Sequence, residues 1–119
     1  MGEFLKAYRA WWSEPFPHQS TKDELNELHA ELATLDYWVA DTVVPFAEND
    51  TLAPLKVDIR GAIRDIRQRL ASVASQLRGQ DQQLVAEYQR YVELLDAVFL
   101  CFIAVTSRAG TDDSGSGPS

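Results

Sequence analysis

Three stretches of the chain repeat apolar residues at spacings of three and four, the period that places side chains on one face of an α-helix. These stretches run from Leu25 to Val43, from Leu52 to Leu77 and from Leu84 to Val105. No part of the sequence requires a β-strand. We therefore predict an all-α fold, built on an up-down-up bundle of three long helices.

The last connection in the bundle is very short. Residues 78–81 are too few to carry the chain back along the length of the bundle. The last two helices are therefore predicted to form an antiparallel hairpin. Gly79 suits the left-handed position after a helix, and Asp81 suits the N-cap of the next one. This hairpin is the firmest element of the predicted topology.

Capping and proline signals set the ends of the first long helix. Thr21 with Glu24 matches a capping box, so the helix is predicted to begin near Thr21. Pro45 lacks a backbone donor and is predicted to end it, leaving residues 45–51 as a loop. Phe46 would anchor this loop in the core.

The second long helix is predicted to span about seven turns. Asp50 or Thr51 serves as its N-cap, and Pro54 fits its first turn. Its apolar stripe continues to Leu77, shortly before the hairpin turn.

Aromatic residues define a shorter helix at the N-terminus, from Phe4 to Trp12, and two prolines in residues 13–17 end it with a stiff connector. Residues 109–119 carry no apolar side chain beyond Ala109 and are predicted to be a solvated, disordered tail. We expect one bundle domain over residues 1–108, similar in outline to a four-helix bundle.

The charge balance excludes several classes of partner. The chain has 11 Lys and Arg against 18 Asp and Glu, a net charge of -7, which opposes attraction to phosphate backbones and anionic lipid. We expect no nucleic-acid partner and no membrane partner. Residues 94–105 form the longest nearly uncharged stretch, well short of the roughly 20 residues needed to span a bilayer.

The cysteine count points to a reducing compartment. Cys101 stands alone, so no intramolecular disulfide can form, and one cysteine with two histidines cannot build a usual zinc site. The first residues show no secretion signal. We expect a cytoplasmic protein with no metal and no cofactor.

The last helix has a wider apolar arc than a three-helix bundle can bury. The N-terminal helix is expected to cover mainly the half near Leu25 and Leu84, which leaves Val92, Phe99 and Ile103 uncovered. Exposed apolar patches usually mark interfaces, most often between identical chains. We therefore predict a homodimer through these three residues, and coverage within the monomer is the alternative.

Carboxylates at helical spacing raise the question of a metal site. Glu24, Glu27 and Glu31 share one side of the first long helix, and Glu93 and Asp96 follow on the last. This pattern resembles the magnesium-binding pairs of the all-α nucleotide pyrophosphohydrolases. Glu93 is predicted to project away from the helix seam into solvent, so we favour a solvated acidic face. A metal-dependent hydrolase remains the least favoured hypothesis.

Arginines form a basic stripe on one flank of the second long helix. Arg60, Arg64 and Arg67 lie within one narrow arc. They either pair with acidic residues of neighbouring helices, such as Glu87, or jointly hold an anion of a partner or ligand.

Two classes of function follow for a chain without a catalytic triad or phosphate-binding loop. We predict a non-enzymatic protein-interaction module, a small acidic self-associating bundle that binds a protein partner with a basic surface. The alternative is a ligand-binding or sensor bundle, in which Tyr8, Trp11 and Trp12 line an aromatic pocket.

Overall fold

A computed structural model describes residues 2–115 of the chain, and this part consists of four α-helices without a strand. The helices are α1 (Gly2–Ser13), α2 (Asp23–Asn49), α3 (Ile59–Ala74) and α4 (Gln80–Gly115). They pack against one another as a four-helix bundle, which confirms the predicted all-α fold. None of these helices combines the length and the apolarity that crossing a bilayer demands.

Each helix runs antiparallel to the one before it. Lys22 at the start of α2 pairs with Asp81 at the start of α4, so these two helices run in parallel. Phe4, near the start of α1, lies beside Phe46 and Phe102, near the far ends of α2 and α4. The 36 residues of α4 rise about 54 Å, which accounts for the 55 Å long axis of the molecule.

Most of the core consists of residues on the predicted stripes, and the rest of it is formed by Phe4, Trp11, Phe46, Val85, Val92 and Phe99. Their burial removes apolar surface from water and is the main driving force for packing the four helices together. The buried stripe residues are Leu25, Leu28, Leu32, Leu35, Val39, Val43, Ile59, Ile63, Ile66, Leu70, Tyr88, Tyr91, Leu95, Val98 and Phe102.

The first long helix starts later and ends later than predicted. The capping box does not form, because the Ser20 hydroxyl accepts from the N–H of Lys22 and no side chain caps α2. At the other end α2 continues through Pro45 to Asn49. A proline inside a helix costs about 3 kcal/mol, and burial of Phe46 offsets a comparable amount. Phe46 does anchor the core, as predicted.

The second long helix is much shorter than predicted. Residues 51–58 are not helical, and Leu52 and Leu55 on the expected stripe are 60% and 51% exposed. Pro54 disfavours helical geometry in the residue before it. The observed N-cap is Asp58, whose carboxylate accepts from the N–H of Gly61 at 3.0 Å.

The hairpin between α3 and α4 forms as predicted, but α4 begins earlier than at the predicted N-cap. Gly79 adopts the predicted left-handed conformation, with φ +66°. Its carbonyl accepts from the N–H of Gln83 and so begins α4, whereas Asp81 lies inside the first turn rather than at the N-cap. Helix α4 also passes the predicted boundary at 108 and continues to Gly115; the rest of the expected tail lies outside the described residues.

The position of α1 differs from the prediction. Residues 14–22 run along the bundle before α2 begins, and the Tyr88 hydroxyl donates to the carbonyl of His18 at 2.7 Å. The connector therefore occupies the half of the bundle near Tyr88. Helix α1 is displaced to the other half, where Phe4 lies beside Phe102.

Two of the three residues of the predicted dimer interface are buried within the monomer. Val92 is fully buried and Phe99 is 1% exposed, so neither residue is within reach of a second chain. Coverage within the monomer, the alternative explanation, holds for these two residues. Ile103 is half-buried. Homodimer formation itself stays a prediction, and it needs another surface.

The Asp58 cap yields a test. A Cβ atom on Gly61 would clash with the Asp58 carboxylate. Gly61→Ala, which usually stabilises a helix by about 0.5–1 kcal/mol, should give no gain here, because it displaces a cap worth about 1 kcal/mol. In an Asp58→Ala background, Gly61→Ala should stabilise the protein, because no cap remains to be displaced. Urea unfolding of the four proteins measures both effects, and stabilisation by Gly61→Ala in both backgrounds would contradict the cap.

Candidate functional site

A hydrogen-bonded triad joins three helices inside the bundle. The indole Nε1 of Trp11 donates to Asp36 at 2.8 Å and to the Tyr91 hydroxyl at 3.1 Å. The Tyr91 hydroxyl donates in turn to the same Asp36 oxygen at 2.7 Å. Trp11 and Tyr91 are buried and Asp36 is half-buried. The triad therefore fixes α1 against α2 and α4.

The tyrosines of the interior stay protonated. Burial raises the pKa of Tyr91, and its hydrogen bond to Asp36 raises it further. Burial, with the nearby charge of Glu87, raises the pKa of Tyr88 to about 12. Both hydroxyls are therefore fixed donors at neutral pH, and their contacts are structural.

Aromatic contacts hold the proline connector. The ring of Phe16 meets those of His29 and Tyr91 edge-on, with centroids 5.0 and 5.1 Å apart. The Nε2 of His29 lies 2.9 Å from the carbonyl oxygen of Pro17, which places the ring proton on this nitrogen. The histidine is thus a half-buried anchor of the connector.

The predicted aromatic pocket has no space between its three rings. The centroids of Tyr8, Trp11 and Trp12 lie 5.8 to 6.0 Å apart, so the rings pack on one another. Trp11 belongs to the triad, and the Tyr8 hydroxyl donates to Glu48 at 3.2 Å. The three rings cover the core instead of lining a cleft.

Three of the five carboxylates considered for metal binding, Glu31, Glu93 and Asp96, are bound to arginines. Arg67 donates to both oxygens of Glu93 at 2.8 Å and to Asp96 at 2.9 Å. Glu31 pairs with Arg69 of α3. Within the described part of the chain, no three His, Cys, Asp or Glu side chains come together as ligands.

The arginines of the basic stripe differ in their contacts: over the residues that the structure describes, Arg67 is bound to carboxylates of α4, and Arg60 and Arg64 are not. The hydrogen bonds with Glu93 and Asp96 raise the pKa of Arg67 and use its guanidinium to join α3 to α4. Arg60 and Arg64 are exposed, without an ion pair among the described residues. The three arginines therefore do not act as one anion site, and the stripe partly serves to fix helix pairing.

The acidic residues concentrate on one helix. Helix α2 carries seven Asp and Glu side chains and neither Lys nor Arg. Asp36, Glu31 and Glu48 bond to other helices as described. No ion pair or side-chain hydrogen bond within residues 2–107 involves Glu27 or Asp41, and both are exposed. Free carboxylates therefore remain on the surface of α2.

The outward side of α2 forms an acidic stripe with an aromatic residue in it. Its members recur at spacings of four and three, so they share one helix face. This acidic α2 stripe consists of Glu27, Glu31, Thr34, Trp38 and Asp41. Trp38 is half-buried between the acidic positions.

A cleft of about 190 Å³ borders this stripe, between α2 and α3. Its walls are apolar at the base and carry carboxylates at the rim. The lining residues are Glu31, Thr34, Leu35, Trp38, Ala62, Asp65 and Ile66. Glu31 is among the residues considered from the sequence, whereas Trp38 and Asp65 are not. The heptad-like spacing from Glu27 to Asp41 could have indicated Trp38, whereas nothing local indicates Asp65.

The triad provides a second test. Tyr91→Phe removes one of the two donors to Asp36 and should lower the free energy of unfolding by about 1–2 kcal/mol. Tyr37→Phe is the matched control, because Tyr37 is 66% exposed and makes no side-chain hydrogen bond among the described residues. Chemical denaturation compares the two variants. If both variants lost the same free energy of unfolding, or if Tyr91→Phe lost none, the triad would not be the anchor of α1.

The chain was compared with models of protein families, with curated proteins and with solved structures, and none of the three comparisons found a match.

Proposed function

We propose that the chain is a non-enzymatic interaction module that binds a basic protein partner through the acidic α2 stripe. One observation carries this proposal: the seven acidic residues of α2 equal the net charge of -7 of the whole chain. The other acidic residues are matched in number by the 11 Lys and Arg. The excess negative charge is thus concentrated on a single helix.

Such a surface favours association with positive charge. Like charges gathered on one face create a potential that steers an oppositely charged partner and disfavours an acidic one. Glu27 and Asp41 lie about four helical turns from each other, on either side of Trp38. Aromatic residues are enriched in protein interfaces, so Trp38 supplies an apolar contact inside the charged surface.

The interior contacts support a role without catalysis. Asp36, Tyr88 and Tyr91 bond within the chain and position α1 and the connector. Cys101 is half-buried in an apolar setting, which suits a thiol in a reducing compartment. We propose the cytoplasm as the location on this basis.

The basic-partner proposal is tested with charge reversals. Asp41→Lys should weaken binding of a synthetic Lys/Arg-rich peptide by about fivefold to tenfold, and added salt should weaken it further. Glu87→Lys is the control, because it changes the net charge equally from an exposed position on α4. Titration calorimetry compares the two. An equal effect of both variants would show attraction to net charge alone and overturn the assignment to α2.

Self-association belongs to the same proposal, through a different surface. Residues 97–107 of α4 contain no charged side chain, and Leu100 there is 40% exposed. An open cleft of about 520 Å³ adjoins it, lined in part by Phe4, Cys101 and Val105. Two copies of a strongly acidic chain repel each other, so they can approach best at a face with few charges, where Glu3 is the one carboxylate among the described residues that line the cleft.

Light scattering over a range of concentrations tests this second surface. The unmodified chain should show a mass that rises towards the dimer, and Leu100→Glu should stay monomeric because two carboxylates would be buried in the interface. Ala86→Glu, at an exposed position nearer the start of α4, is the matched control and should still dimerise. A monomeric unmodified chain, or a dimer that survives Leu100→Glu, would overturn the proposed face.

A further inference from the structure

The cleft between α2 and α3 combines an aromatic ring with carboxylates from two helices. Trp38 and Glu31 approach it from α2, and Asp65 approaches it from α3. The base is formed by Leu35 and Ile66, which are buried in the core. A ligand in the cleft would therefore meet apolar surface below and negative charge at the rim.

The charges around the cleft select a cation. Asp65 is exposed and has no ion pair among the described residues. Glu31 is already paired with the guanidinium of Arg69, so Asp65 is the carboxylate of the described rim that is left to bind a cation. The free arginines of α3, Arg60 and Arg64, share the flank of Arg67, which bonds to α4, and so do not neutralise the cleft.

The size and lining of the cleft favour the side chain of an arginine. The cleft volume of about 190 Å³ lies below the roughly 300–1,000 Å³ of small-molecule and cofactor pockets. A guanidinium stacks on an indole face and donates two parallel hydrogen bonds to a carboxylate, whereas an ammonium is compact and strongly hydrated. Trp38 and Asp65 offer those two partners.

We propose that this cleft binds an arginine side chain of the basic partner. The inference rests on the proposed function, since it names the group through which that partner is recognised. The arginine stem lies against Leu35 and Ala62, and its guanidinium lies between the Trp38 ring and the Asp65 carboxylate.

Nuclear magnetic resonance tests the cleft with N-acetyl-arginine amide as the probe. At millimolar concentration the probe should shift the indole signal of Trp38 and the methyl signal of Ala62. The amide of N-acetyl-citrulline, a neutral isostere, should leave both unchanged. Equal shifts with citrulline would overturn cation binding, and equal shifts with N-acetyl-lysine amide would overturn the preference for arginine.

Two variants locate the binding. Asp65→Asn should weaken arginine amide binding by about fivefold, and Glu87→Gln, which removes the same charge from an exposed position on α4, should weaken it by less than about twofold. Trp38→Leu should abolish the shift of Ala62, with the remaining spectrum reporting an intact fold. Equal effects of Asp65→Asn and Glu87→Gln would overturn the assignment to the cleft.

The outcomes separate this inference from the proposed function. If the basic peptide binds through α2 while arginine amide leaves Trp38 unshifted, the cleft fails and the interaction module stands. If arginine amide shifts Trp38 while the basic peptide does not bind, the partner proposal fails and the cleft remains a binding site for a guanidinium.

Discussion

The hydrogen bonds that Asp36 accepts from Trp11 and Tyr91 determine where α1 lies, and the remaining surface depends on that position. A half-buried carboxylate needs donors, because leaving it unpaired costs the full desolvation of the charge. Two helices supply those donors. Helix α1 is thereby held beside the far half of α4, where Phe4 packs near Phe102.

With the apolar rows buried, the surfaces of the bundle differ mainly in their charge. Arg67 reaches α4 through Glu93 and Arg69 reaches α2 through Glu31, so two of the four arginines of α3 hold helices together. Helix α2 has no basic residue of its own with which to neutralise its surface. Its outward stripe therefore keeps free carboxylates beside Trp38, and this asymmetry supports recognition of a basic partner.

The predictions that succeeded depend on local physics, and those that failed depend on competition between local signals and packing. Spacings of three and four predicted the core, and Gly79 adopts its left-handed conformation because glycine lacks a Cβ atom. Pro45 should have ended α2, but burial of Phe46 keeps the helix intact. Leu52 continues the apolar pattern by spacing alone and is exposed.

The sequence by itself determined the helical class, most residues of the core and the concentration of acidic residues on α2, because each follows from periodicity or composition along one segment. Only the tertiary structure decided that Arg67 binds Glu93, that residues 14–22 displace α1, and that Asp65 faces Trp38 across a cleft. Contacts between helices depend on their relative rotation and register. Those are set by packing and buried hydrogen bonds across the bundle, which no single segment encodes.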